Sequence, residues 1–211
     1  MKIYGIHIQT VEKLPCEYLM RLMPERYARS EKFLRKDDRL RSLGAGFLMH
    51  HVLGIRSSDL RYGKYGKPYV PGGIEFSISH GGNWAVLAAD RHCVGVDIEP
   101  IRTEHPAVAD KVLSANELHW MQQDPLPRFH ILWTIKESIM KATGRGMQLA
   151  PAQFEVQPDS GVCFVDGTLW HTAQMLHDGC AVACACEHKL DSLVFIPCTG
   201  ETAYCFAAES L

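Results

Sequence analysis

Apolar and polar residues alternate over 3–8, IYGIHI, and this two-residue period predicts a first strand. Residues 15–54 change to a helical pattern, punctuated near Pro24. Gly44 and Gly46 fall inside it, where glycine signals close packing rather than a break. The polar, glycine-rich RYGKYGKPYVPGG that follows reads as a loop. IEFSISH then alternates like a strand, the Gly-Gly-Asn at 81–83 makes a turn, and WAVLAAD and VGVDIE supply two more strands. Residues 105–122 are expected to be helical, with Ser114 as N-cap and Glu117 closing a capping box. Pro125 and Pro127 interrupt. Residues 128–143 then form a strong helix, with apolar positions at Phe129, Leu132, Trp133, Ile135 and Met140 and Gly144 as its stop. The rest is β-rich: FEVQ, GVCFVDG, TLWHTAQML and CAVACACE.

The strand-turn-strand EFSISHGGNWAVLAAD is echoed in shape by HTAQMLHDGCAVACACE, about a hundred residues later. The echo predicts an α+β fold of two similar α/β lobes related by a pseudo-twofold. The first lobe would span 1–101 and the second 102–211, with an active site between them.

Composition narrows the class. Hydrophobic residues make up 46% of the 211 and charged residues 22%, which excludes collagen-like, mucin-like and mostly disordered chains. No apolar run reaches the ~18 residues of a membrane span. MKIYGIHIQT lacks the apolar core and cleavage site of a signal peptide, so a cytoplasmic location is expected. The eight cysteines are irregularly spaced, without a C-x-x-C pair. Cys180, Cys184, Cys186 and His188 cluster, but strand positions 184, 186 and 188 line up in a row and do not converge as zinc ligands must. Zinc is therefore not expected there.

Charge is uneven. Residues 21–41 hold eight basic and four acidic side chains, which leaves +4 there and −6 over the rest of a chain whose net charge is −2. A local basic stripe on an acidic protein suits a compact anion better than a nucleic acid. A solvated helix face with i, i+4 pairs has the same composition.

Three short motifs carry candidate chemistry. Asp97 and Glu99 are i and i+2 on one strand face, and Pro100 stops the strand beside them. Adjacent carboxylates need a cation or solvent, and oxygen ligands without histidine or cysteine favour Mg2+. A solvated strand end is the alternative. Glu137 and Lys141 are i and i+4 on one helix face, with Lys136 about 100° away on the same turn. A carboxylate beside two ammonium groups suits a metal-bound phosphate, although a surface salt bridge looks the same. Trp133 reads as core packing. Lys67 and Pro68 lie in a loop whose backbone amides can face an anion, and Ser79 and His80 end a strand at an exposed turn.

In this order, GKPY…SISH, GVDIE and WTIKESIMKATG closely resemble the 4′-phosphopantetheinyl transferases of the surfactin-synthetase-activating (Sfp-like) type, over essentially the whole chain. The length suits the monomeric, two-lobed branch. The resemblance implies transfer of the phosphopantetheine arm of coenzyme A to a serine of an acyl, polyketide or peptidyl carrier protein, releasing adenosine 3′,5′-bisphosphate. It implies that Asp97, Glu99 and Glu137 hold Mg2+, with Mn2+ as a substitute. Lys141 would contact the same phosphates and stabilise the leaving one. Lys67, Pro68, Ser79 and His80 would line the coenzyme A site, with His80 near the 3′-phosphate. Arg26 and Arg29, where close relatives often have lysine, would bind that phosphate, and Arg41 and Ser42 the nucleotide. Glu137 is the first candidate for the base that takes the serine proton, and Glu117 the second. Val112, Leu113 and Met121 in region 103–124 offer apolar contacts to a carrier. Neither a nucleic acid nor a membrane is expected as a partner. A non-catalytic coenzyme A-binding module would not need three acids. A metal-dependent phosphohydrolase would not need a carrier surface.

Overall fold

The alternation at the start of the chain becomes strand β1 (Lys2–His7), which buries Ile3, Tyr4 and Ile6. The computed structural model describes residues 1–102 and 108–199. The long helical stretch divides into α1 (Ile8–Glu12), α2 (Cys16–Leu22), α3 (Pro24–Ser30) and α4 (Lys36–Leu53). Pro24 stands in the first turn of α3, where its missing N–H costs nothing. Gly44 lets α4 settle on the sheet, since a Cβ there would lie 3.0 Å from Ile6 and 3.2 Å from Ala85.

The glycine-rich loop contains a minimal hairpin, β2 (Arg61–Tyr62) and β3 (Pro68–Tyr69). β4 (Glu75–Gly81), β5 (Trp84–Asp90) and β6 (Val94–Pro100) follow. Of the helix expected over 105–122, residues 103–107 lie outside the described residues. The remainder is two short helices, α5 (Ala109–Val112) and α6 (Ala115–Met121), with Ser114 and Glu117 in the expected capping box. Pro125 does not interrupt the next helix but starts it, so α7 runs Pro125–Ala142. The last elements among the described residues are β7 (Val156–Gln157), β8 (Val162–Val165), β9 (Thr168–His177), β10 (Cys180–Cys186) and β11 (Val194–Pro197).

The fold is α+β, built on two sheets. One has the order β11-β1-β5-β4 and the other β6-β10-β9-β8-β7. Each half joins an antiparallel hairpin, β4–β5 or β9–β10, to an 18-residue helix, α4 or α7. α4 packs on β5, and α7 on β6 and β10. A boundary at 101 does not follow the strands. β6, inside the expected first lobe, pairs along its whole length with β10. β11, inside the expected second lobe, returns to pair in parallel with β1. The halves therefore exchange strands, for a reason that lies in pairing between distant residues. They also touch closely: a Cβ on Gly81 of β4 would lie 2.2 Å from the carbonyl oxygen of Ile98. No helix among the described residues is long and apolar enough to cross a membrane.

Candidate active site

The site begins at the seam between β6 and α7. Gly95 has no side chain to hold the helix off, and a Cβ there would lie 1.9 Å from the Ser138 carbonyl oxygen. α7 therefore rests directly on β6. Its Glu137 and Lys141, one turn apart on one face, meet Asp97 and Glu99 on the strand. Lys141 Nζ lies 2.6 Å from Asp97 Oδ1 and donates to Ser79 Oγ at 2.8 Å. Ser79 Oγ in turn donates to Asp97 Oδ1 at 2.7 Å. The far ends of β4 and β6 and the last turns of α7 are thus joined by one closed set of polar contacts.

The acids are under electrostatic load. The carboxyl of Glu99 is pushed up to about 7, first by burial and then by Asp97, with Glu137 adding to it. Glu137 is also raised, by burial and by Asp97. Asp97 is buried, and its Oδ2 has no hydrogen-bond partner. An orphaned buried carboxylate oxygen beside two acids that resist ionisation is a site short of positive charge. Its donors are all carboxylate oxygens, the set a hard divalent cation such as Mg2+ takes. The residues fit that ion. Their oxygens do not converge within the 4.8 Å that brings Asp90, His92 and His188 together elsewhere in the fold, as expected of like charges facing one another.

A cleft of about 480 Å³ opens over these groups. Asp97, Glu99, Glu137 and Lys141 line it, together with Arg26, Arg29, Tyr62, Pro68, Ser79 and His80. Burial pushes the Arg26 guanidinium below its ordinary pKa, and Arg29 adds to this, so an anion here would relieve both. Arg29 donates to the Tyr62 hydroxyl at 3.4 Å and stacks over its ring. His80 is held below the usual imidazole range by desolvation, with Lys141, Arg41 and Arg26 contributing. A second cavity of about 220 Å³, sharing Gly66, Pro68, Ile78 and Lys141 with the cleft, is lined also by Lys67, Met140 and Gly144.

Several expected site residues are placed differently. Lys67 turns its ammonium inward, donating to the carbonyls of Val94 and Ala142, both at 3.1 Å. It holds the end of α7 to the start of β6, and its neighbours Gly66 and Pro68 line the cleft. Arg41 bonds Gly82 and Asp38, and buried Ser42 accepts from Arg26 at 3.5 Å. These two support the cleft wall without facing it. Lys136 is not a second cation of the site. Its side chain is fully buried behind α7, donating to Pro151 and Phe154 carbonyls at 2.9 and 2.7 Å and pairing with Glu117 at 2.8 Å. Glu117, the second candidate base, is spent there as well. It accepts from Ser114 N and Val156 N and is 1% exposed. A carboxylate locked in that network has no path to a substrate proton in the cleft. Of the apolar residues proposed for a carrier, Leu113 and Met121 are buried.

Four residues of the cleft lining were not expected: Tyr62, Gly66, Ile78 and Trp133. Trp133 lines it although its sequence reads as core. The signal was available: 133, 137 and 141 form one i, i+4 row on α7. Tyr62 gave no such signal, because its place follows from the Arg29 contact.

Three acids, a lysine and two arginines line one cleft on an α+β frame, a set of charges suited to a metal-bound phosphate. A family model described as the 4′-phosphopantetheinyl transferase superfamily matches residues 93–183, which span β6 to β10. The chain is 32% identical over 173 residues to 4′-phosphopantetheinyl transferase ffp of Bacillus subtilis, covering 74% of this chain and 76% of that relative. It is 29% identical over 171 residues to 4′-phosphopantetheinyl transferase Sfp of Bacillus subtilis strain 168, with the same coverage. Against 4′-phosphopantetheinyl transferase gsp of Aneurinibacillus migulanus it is 37% identical over 128 residues, 56% of this chain and 54% of that one. The chain belongs to the 4′-phosphopantetheinyl transferase family, and its activity is that of a phosphopantetheinyl transferase.

Proposed function

We propose that the chain moves the 4′-phosphopantetheine arm of coenzyme A to a serine of an apo acyl, polyketide or peptidyl carrier protein, releasing adenosine 3′,5′-bisphosphate. It would act as a monomer in the cytosol, with Asp97, Glu99 and Glu137 holding Mg2+. The observation that carries this reading is the convergence of those acids and Lys141 with Arg26 and Arg29 on one cleft.

Arg26 and Arg29 bind the dianionic 3′-phosphate by charge-assisted hydrogen bonds, the strong kind. Lys141, held in place by Asp97 and Ser79, donates to the pyrophosphate and stabilises charge on the leaving phosphate. Mg2+, when bound, neutralises pyrophosphate oxygens and so favours attack at the β-phosphorus. Glu137 takes the proton from the carrier serine as the general base.

The test is intact-mass spectrometry of apo carrier proteins of fatty-acid, polyketide and nonribosomal-peptide type, incubated with the enzyme, coenzyme A and Mg2+. The expected result is a mass gain of one phosphopantetheine arm on at least one of them. Glu137→Ala should slow transfer by ~10²–10⁴-fold, and Asp97→Ala should abolish it at the same coenzyme A concentration. Coenzyme A hydrolysis without transfer to any carrier would overturn the proposal, as would binding of coenzyme A with no reaction.

A further inference from the structure

At the other end of β6 from the acids lies a second cluster, outside the cleft. Asp90 closes β5, His92 stands in the turn between β5 and β6, and His188 follows β10. Among the described residues these three are the group whose ligand atoms all lie within 4.8 Å of one another. His92 Nδ1 is 3.2 Å from Asp90 Oδ1, and His188 Nε2 is 3.6 Å from Asp90 Oδ2. Each oxygen of one carboxylate thus faces an imidazole. The two rings are 5.5 Å apart.

The register explains the meeting. The β6–β10 ladder ends at Val94 opposite Cys186. Continuing it by two residues on each strand brings His92 opposite His188, with both side chains on one face. That spacing was hidden in the cysteine row 184, 186, 188, because the partner ligands come from another element. Two neighbours fix the donors. Asp90 Oδ1 accepts from His92 N at 2.9 Å, which pins the carboxylate in the turn. Buried Cys186 places its Sγ 3.4 Å from His188 Nδ1 and donates to the His188 carbonyl at 3.0 Å, so Nε2 is the nitrogen turned to Asp90. An imidazole oriented through its second nitrogen is the usual outer arrangement of a metal ligand.

We propose that Asp90, His92 and His188 form a metal site for a borderline transition ion, Zn2+ by its chemistry, distinct from the carboxylate site in the cleft. Two imidazoles and one carboxylate suit Zn2+, and three protein ligands leave a fourth tetrahedral position for water. β5 belongs to the first sheet and β10 to the second. An ion held here clamps the two sheets at the end remote from the cleft.

The test uses the untagged 211-residue chain, stripped with chelator and titrated with Zn2+ by calorimetry in excess Mg2+, with Co2+ as a spectroscopic probe. Wild type should bind one equivalent, show the visible absorption of low-coordinate Co2+, and unfold at a higher temperature with Zn2+. His92→Ala with His188→Ala should lose all three responses while keeping the circular-dichroism spectrum of the wild type. Asp90→Asn, which retains hydrogen bonding to His92, should weaken Zn2+ by at least about tenfold, and it stands as the test if the double variant does not fold. Zn2+ binding that persists unchanged in these variants, or that is lost instead in Asp97→Asn, would overturn the proposal, as would no binding by wild type.

Discussion

Glu99 shares a strand face with Asp97 and feels Glu137 across the seam, and its carboxyl is pushed from 4.5 to about 7. Without a divalent cation, the folded chain holds a proton that the unfolded chain has released between those two values. The native state then binds more protons, so this group's contribution to stability falls as pH rises from about 4.5 to about 7 and is flat above. Bound Mg2+ replaces the proton. It should therefore raise the unfolding temperature more at about pH 8 than at about pH 5.5, and Glu99→Gln should reduce that difference. An equal rise at both pH values, read by calorimetry, would mean that these carboxylates do not hold the ion. That Asp97 and Glu99 share a strand face, and Glu137 and Lys141 a helix face, was legible from short-range periodicity; that the two pairs belong to one site was implied only by the family resemblance. The burial of Lys136 was not legible. A rotation of about 100° along a helix separates a cleft from a core, and only packing decides which side is which.

α7 is positioned from both sides, by Gly95 in front and by Lys136 behind. Gly95→Ala would drive a methyl into the Ser138 carbonyl. We expect it to cost ~1–3 kcal/mol or more by denaturant titration, and to lower transfer by shifting Glu137 and Lys141 away from β6. A variant as stable and active as wild type would show that the strand and helix part without consequence. Glu117→Gln keeps the shape of the capping box but breaks a fully buried ion pair, with an expected cost of ~3–5 kcal/mol. The kcat of molecules that remain folded should be unchanged at low temperature. A large drop in kcat with stability intact would return Glu117 to the reaction as its base. The serine-to-glutamate spacing predicted the cap itself. It held no trace of the other partners, because Val156 lies 39 residues away and Lys136 on a different helix. Arg41 and Ser42 fall outside the cleft lining for the same reason: the rotation of α4 against the cleft comes from its packing on the sheet.

The α+β character and the repeated hairpin-and-helix plan were readable from alternation and from the echo between the halves. Where one half stops was not, since β6–β10 and β1–β11 pair residues far apart in the chain. A fragment of residues 1–101 leaves β6 without β10 and β1 without β11. It should show no cooperative unfolding transition by circular dichroism, and a transition like that of the whole chain would prove the first hundred residues an autonomous lobe after all. The parallel pairing of β1 with β11 also sets a clock for biosynthesis. A ribosome makes β1 first and its neighbour about 190 residues later, an interval of ~10–40 s at ordinary elongation rates. From the time β4 and β5 are made until β11 arrives, one edge of the first sheet is an open row of amides and carbonyls, ready to accept any passing strand. That edge is covered only when β11 arrives and pairs with β1.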